Sequence, residues 1–246
     1  MKRLMIAAAL CALCIGGAAV SAQSSDTTPS PDASDACMQK GGNLGDDGKC
    51  MLTIDLKVSV DYPLDLTQKS DLVARTVDDV VKKAKDDIMQ SVSGDFTPGS
   101  GQYELDITYD TVTHSDTVYT LLLTIYQYQG GAHGSQALLP FTFDLKNNKV
   151  LTLDDIFTST PNALKLIEPI AQAAIKQAIG ADMVQEDMLS AGATPTSDNY
   201  QYFSLDKDSI TFYFQQYQVG PYAIGIQKVT IPFAQLSSVL KPDIAS

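Results

Sequence analysis

The feature that most restricts what this chain can become is a change of hydrophobic period within its first hundred residues. Residues 51–62, MLTIDLKVSVDY, alternate apolar and polar side chains without a break, and Pro63 ends the run. Period two over that length predicts a strand with one wet face. From Ser70, read as an N-cap, Val73, Val77, Val80, Ala84, Ile88 and Val92 recur at three- and four-residue steps. That spacing predicts an amphipathic helix over 70–92. Alternation returns at 103–112, and a more buried strand follows at 117–128. The short His114-Ser115-Asp116 link makes the two a hairpin.

The remainder reads similarly. Residues 137–145 and 149–153 form a further hairpin turning at Asn147-Asn148. Thr160 and Pro161 read as an N-cap and first helical position, and Gly180 closes a helix with Leu164, Ile167, Ala171 and Ile175 on one stripe. A short helix covers 182–190, and 191–200 is a polar loop. Strands at 209–217 and 224–231 join through Gly220-Pro221-Tyr222, and a short helix runs over 233–240. Neighbouring strands mostly join by hairpins. The expected class is therefore α+β, with largely antiparallel sheets and two main amphipathic helices.

The N-terminus sets the compartment. Lys2 and Arg3 precede an apolar stretch from Leu4 to Ile15, and small residues end at Val20-Ser21-Ala22. Residues 1–22 are expected to be a cleaved signal peptide, with retention as an anchor the alternative. Residues 23–36, QSSDTTPSPDASDA, have almost nothing to bury and are expected to be a disordered linker. Cleavage leaves Cys37 and Cys50, an even pair that reads as one disulfide in a periplasmic or secreted protein. The formal charge is -12. Without Lys and Arg clusters, nucleic acid is disfavoured, whereas a cationic partner would be attracted.

Enzyme signatures are missing. There are two histidines, His114 and His133, and no H-E-x-x-H, G-x-S-x-G, G-x-G-x-x-G or P-loop string. Asp46-Asp47 and Asp154-Asp155 lack the frame of a calcium loop, and read as a solvated loop and as a helix start or turn. No cofactor and no metal are expected. Tyrosine is abundant, with Tyr126, Tyr128, Tyr200, Tyr202, Tyr213, Tyr217 and Tyr222 near loop ends. Singly each suits packing; together, beside Gly-rich loops, they suit a recognition surface.

Three strings carry a resemblance. Tyr126–Gly134, YQYQGGAHG, resembles the Y-x-x-G-G-A-H segment of the extracytoplasmic domain of RsiV-type anti-sigma factors. Leu151–Phe157, LTLDDIF, is similar to the L-x-L-x-D-[IL]-F segment that follows in that family. Tyr217–Gly225, YQVGPYAIG, resembles its closing Y-x-[VIA]-x-P-Y-A-x-G. Residues 51–116 are more loosely similar to the module preceding this domain in RsiV and in PdaC-type peptidoglycan deacetylases. A secreted mycobacterial antigen family is similar as well.

The resemblance implies an N-terminal module over 37–116 and an RsiV C-terminal-like domain over 117–246, together one compact unit without catalytic residues. It implies an exported binding module for a lysozyme-like protein or a cell-wall glycan. The ligand-binding residues expected are Tyr126, Tyr128, His133, Tyr217, Pro221 and Tyr222. Gly130, Gly131, Asp155 and Gly225 are expected to shape the motifs. The alternative is an envelope hydrolase using Ser135 and His133 of the Gly-Gly-Ala-His-Gly-Ser loop.

Overall fold

A computed structural model describes residues 31–39, 42–51, 55–93 and 102–244. The elements are α1 (Pro31–Met38), β1 (Asn43–Leu44), β2 (Cys50–Met51), β3 (Asp55–Val60), α2 (Leu64–Thr67), α3 (Asp71–Ser93), β4 (Gln102–Thr113), β5 (Val118–Tyr128), β6 (Ser135–Asp144) and β7 (Lys149–Val150). There follow α4 (Leu153–Ile156), α5 (Thr160–Ile179), α6 (Glu186–Gly192), β8 (Phe203–Leu205), β9 (Ser209–Phe214), β10 (Gln227–Pro232) and α7 (Phe233–Leu236). The class is α+β, as expected.

A five-stranded sheet, ordered β3-β4-β5-β6-β7, is the spine. The β4–β5 hairpin links the two segments divided at 116/117, pairing from Glu104↔Tyr128 to Thr113↔Tyr119. α3 buries Val73, Val77, Ala84 and Ile88 on one face, against Leu105, Ile107, Leu121, Leu123, Ile125 and Phe143. The Ser70 hydroxyl accepts from Val73 N–H at 3.4 Å, the expected cap. The second sheet, β10-β9-β8, lies against the opposite face, where Tyr213 meets Leu122 and Leu138. Two buried hydroxyls, Thr120 and Thr142, bond each other at 2.8 Å there, and Leu205 N–H donates to Thr120 at 3.2 Å. Beyond that sheet α5 buries Leu164, Ile167, Ala171 and Ile175 against Phe203, Ile210, Phe212 and Ile231. The order of layers is helix, sheet, sheet, helix.

Several expectations need correction. β3 pairs with β4 in parallel, with α3 as the crossover, the exception within sheets that are otherwise antiparallel as expected. β3 is an edge strand, so its alternation survives but its inner face is only partly covered, and Val58 is 42% exposed. Leu52 and Ile54 lie outside the described residues, as do the signal peptide and linker residues 23–30. The rest of the expected linker is not irregular, because α1 begins at Pro31. It leads into Cys37, which is buried and bonded to Cys50 as expected. Thr160 is the first residue of α5 and Ser159 its N-cap, since the Thr160 hydroxyl donates to the Asp154 carboxylate. The strand expected over 149–153 stops at Val150, where a capping box between Thr152 and Asp155 starts α4. The region 200–208 contributes an unforeseen strand, β8.

Candidate functional site

At one end of the five-stranded sheet, two loops distant in sequence lock together. The first, residues 129–134, joins β5 to β6; the second, residues 215–226, joins β9 to β10. Gly130 at φ 79° and Gly225 at φ 65° take left-handed backbone that favours glycine. Gly131 has open space around it, so no steric demand explains it. Gly134 does carry one: a Cβ there would fall 2.4 Å from the Tyr126 ring.

The Gly134 carbonyl joins the loops. It accepts from the Tyr222 hydroxyl at 2.9 Å and faces His133 Nδ1 at 3.1 Å. A carbonyl only accepts, so Nδ1 carries the proton. The His133 and Tyr222 rings stack at 3.8 Å. Tyr222 begins a 3-10 turn in the segment expected to join the two strands, and is half-buried there. Pro221 precedes it, also half-buried. The Tyr128 hydroxyl donates to Gly131 O at 2.9 Å.

Three glutamines fix the second loop, and sequence reasoning missed them. Gln215 Oε1 accepts from Leu138 N–H at 3.0 Å while its Nε2 donates to Leu138 O at 2.8 Å. Gln216 Oε1 accepts from Gln136 N–H at 2.8 Å. These amides satisfy the outer edge of β6, which β7 covers only at Phe143 and Asp144. Gln218 Nε2 donates to the carbonyls of Gly192 and Asn199, at 3.0 and 2.9 Å. The QQYQ run was the available signal; an amide side chain at a strand edge offers both a donor and an acceptor, as a backbone does.

The fixed loop carries Tyr217 with φ 65°, a costly conformation for a bulky side chain, and leaves it 53% exposed. Tyr217 flanks a groove of about 420 Å³ between α3 and strands β5 and β6. Val80, Ala84, Ile125, Ala137 and Leu139 give it an apolar lining. Lys83, paired with Asp87 at 2.7 Å, joins Gln127, Ser135 and Gln216 as its polar groups.

Of the expected binding residues, His133, Tyr217 and Tyr222 therefore form one cluster, Tyr217 and Tyr222 being 5.9 Å apart. Tyr126 and Tyr128 support the first loop. Two other tyrosines grouped with them belong to the core: Tyr200 is fully buried with its hydroxyl on Ala193 O, and Tyr213 is buried against Ser204. Burial, and then the charge of Glu168, push the Tyr200 hydroxyl well above the usual tyrosine range. Asp155 stands in the capping box and pairs with Lys149 at 2.7 Å. Desolvation opposes its ionisation, but Lys149 and Thr152 outweigh it and hold the carboxyl below its usual value. Among the described residues no hydrogen bond joins Ser135 to His133, and no group of acids, histidines and cysteines is arranged to hold a metal ion.

Residues 54–136 match the family described as Deacetylase PdaC, and residues 154–234 match DUF3298, a family described as of unknown function. The chain is 30% identical over 139 residues to the peptidoglycan-N-acetylmuramic acid deacetylase PdaC of Bacillus subtilis. That match covers 56% of this chain but only 29% of the deacetylase. Immunogenic protein MPT64 of Mycobacterium tuberculosis is 24% identical over 68% of this chain and 72% of its own. Esterase Rv3036c of the same organism is 24% identical over 83% and 88%. A solved DUF3298 member from Bacteroides fragilis is 24% identical, covering 75% of this chain and 72% of that one, with a TM-score of 0.49. The chain is thus related to both families, each through its own segment.

Proposed function

We propose that this protein is an exported, non-catalytic recognition module of the cell envelope. Its clasped loops bind a wall-associated ligand, either a lysozyme-like protein or a peptidoglycan fragment. The observation that carries the reading is Tyr217, held exposed in left-handed backbone beside a preformed groove. Strain of that kind persists only where the surroundings impose it, and it concentrates at ligand sites. The resemblance to RsiV-type extracytoplasmic domains and the likeness to a peptidoglycan deacetylase point to the wall. The disulfide suits an oxidising compartment. No helix among the described residues is long and apolar enough to cross a membrane. A net charge of -12 favours encounter with a cationic protein.

Calorimetry of the oxidised protein with a lysozyme, and sedimentation with purified peptidoglycan, test the proposal. Binding to one of them is expected, weakened at least about tenfold by Tyr217→Ala, as for an aromatic anchor. Absence of binding to both overturns it.

A second reading rests on Ser135, which lines the groove, and on the relative named an esterase. In that reading the apolar groove holds an acyl group; Ser135 Oγ attacks the ester carbonyl, its proton passes to the departing alcohol as the ester C–O bond breaks, and water then hydrolyses the acyl-serine. Against it, His133 Nδ1 faces a carbonyl, where a catalytic triad would place a carboxylate. Hydrolysis of short-chain esters that disappears in Ser135→Ala, with the fold intact, would establish it.

A further inference from the structure

A second cleft, of about 460 Å³, opens at the opposite end of the sheet from the clasped loops. The β4–β5 turn, the β6–β7 turn and the C-terminal segment enclose it, and its lining is mostly polar. His114 stands in its wall, only 9% exposed. Nδ1 lies 2.7 Å from the backbone carbonyl of Asp206, in the turn between β8 and β9. That carbonyl can only accept, so Nδ1 holds the proton and neutral Nε2 is left as an acceptor. Nε2 has no partner among the described residues. No buried side-chain nitrogen or oxygen goes unsatisfied among the described residues, so Nε2 is not sealed from solvent, and the cleft is the opening that His114 lines.

The charged groups around it are unequally committed. Asp144 accepts from Asn147 N–H and Nδ2, at 3.0 and 2.6 Å. Asp155 is occupied by Lys149 and Thr152, and Asp243 is engaged as well. The lysines keep donors in reserve. The Lys146 backbone N–H bonds Asp144 but its ammonium has no partner among the described residues, Lys149 spends one N–H on Asp155, and Lys241 spends one on the Asp154 carbonyl. An ammonium has three donors, so the unused capacity of the cleft is cationic, beside one imidazole acceptor.

We propose that this cleft is a binding site for a small hydroxyl-bearing oxyanion, a hydroxycarboxylate or a hydrogenphosphate. The oxygens would take the open N–H groups of Lys146, Lys149 and Lys241, and the ligand O–H would donate to His114 Nε2. The cleft shares no residue with the loops at the far end of the sheet.

Calorimetry of the intact oxidised protein with citrate, with its analogue lacking the hydroxyl (propane-1,2,3-tricarboxylate) and with inorganic phosphate tests it, with NMR shifts locating the binding. Citrate is expected to bind roughly tenfold more tightly than the analogue, the upper end of what one neutral O–H to imidazole hydrogen bond contributes. Phosphate binding without citrate binding would assign the phosphate member of the class. Lys146→Ala, at an exposed turn position, should weaken the bound anion about tenfold. His114→Asn keeps a donor for the Asp206 carbonyl but removes Nε2, and should abolish the preference for citrate over its analogue. No binding of citrate or phosphate, or binding that Lys146→Ala leaves unchanged, overturns the proposal.

Discussion

At the residue scale, backbone conformation separates side chains that hold the fold from those that present something. Tyr217 at φ 65° carries strain of about 1–2 kcal/mol, which glycine would not. Tyr217→Gly relieves it but loosens the unfolded chain, so stability should stay within about 1 kcal/mol while ligand binding falls. Chemical denaturation beside a binding titration checks both halves. The glycines invite a sharper comparison. A Cβ on Gly192 would meet the Gln218 carbonyl oxygen at 1.8 Å, whereas one on Gly131 would meet nothing within 4 Å. Gly192→Ala should therefore destabilise by at least about 2 kcal/mol and Gly131→Ala by less than about 0.5 kcal/mol, read as shifts of the urea midpoint. Gly131 stands in a recognisable motif and Gly192 does not. Motif matching finds residues that recur in strings, while close approach between α6 and the 215–226 loop exists only after folding. The tyrosines teach the same lesson. Their type and their nearness to loops were visible, but which were buried depended on the second sheet.

At the scale of elements, hydrophobic period located α3, β4 and α5, because each buries one face along most of its length, whereas β5, covered on both faces, showed as a more continuously apolar run. It could not pair them. The alternation in β3 is equally compatible with parallel or antiparallel partners, and the crossover through α3 decides between them. β8, with three residues, is too short to show a period. The edge of β6 was partly legible, since Pro140 has no N–H to give and sits where the outer edge needs none from it. Its protection by Gln215 and Gln216 was not. Gln215→Ala should cost about 1–2 kcal/mol and raise aggregation, by baring the Leu138 N–H and C=O at an open edge. Light scattering alongside thermal unfolding measures it. The Cys37–Cys50 link spans 13 positions, and removing it as a double serine variant should cost about 3 kcal/mol.

For the whole molecule, burial of ionisable groups shapes stability at both ends of the pH scale. Desolvation of Asp144 is outweighed by bonds from Asn147 and Lys146 and by the charge of Lys149, so its carboxyl titrates below the usual value, as does that of Asp155. Groups depressed in the folded state stabilise above their unfolded values. Their contribution should fade as pH falls below about 4. Tyr200 and Tyr213 are raised, chiefly by burial. They stabilise fully below about 10, and that support should decline at higher pH as the unfolded chain ionises first. Denaturation midpoints across pH should trace a plateau with both shoulders. The layered order of the fold has a further consequence for how this chain tolerates cutting. Leu122 and Leu138, on β5 and β6, meet Tyr213 of β9, 91 and 75 positions later. A fragment ending at 136 would lack most of β6 and bare Leu122, and one starting at 154 would bare Tyr213. Expressed apart, each piece should be sticky and ill-formed. Two pieces cut instead at the 145–148 turn, which together keep β6, should seek one another out when mixed, as complementing fragments do.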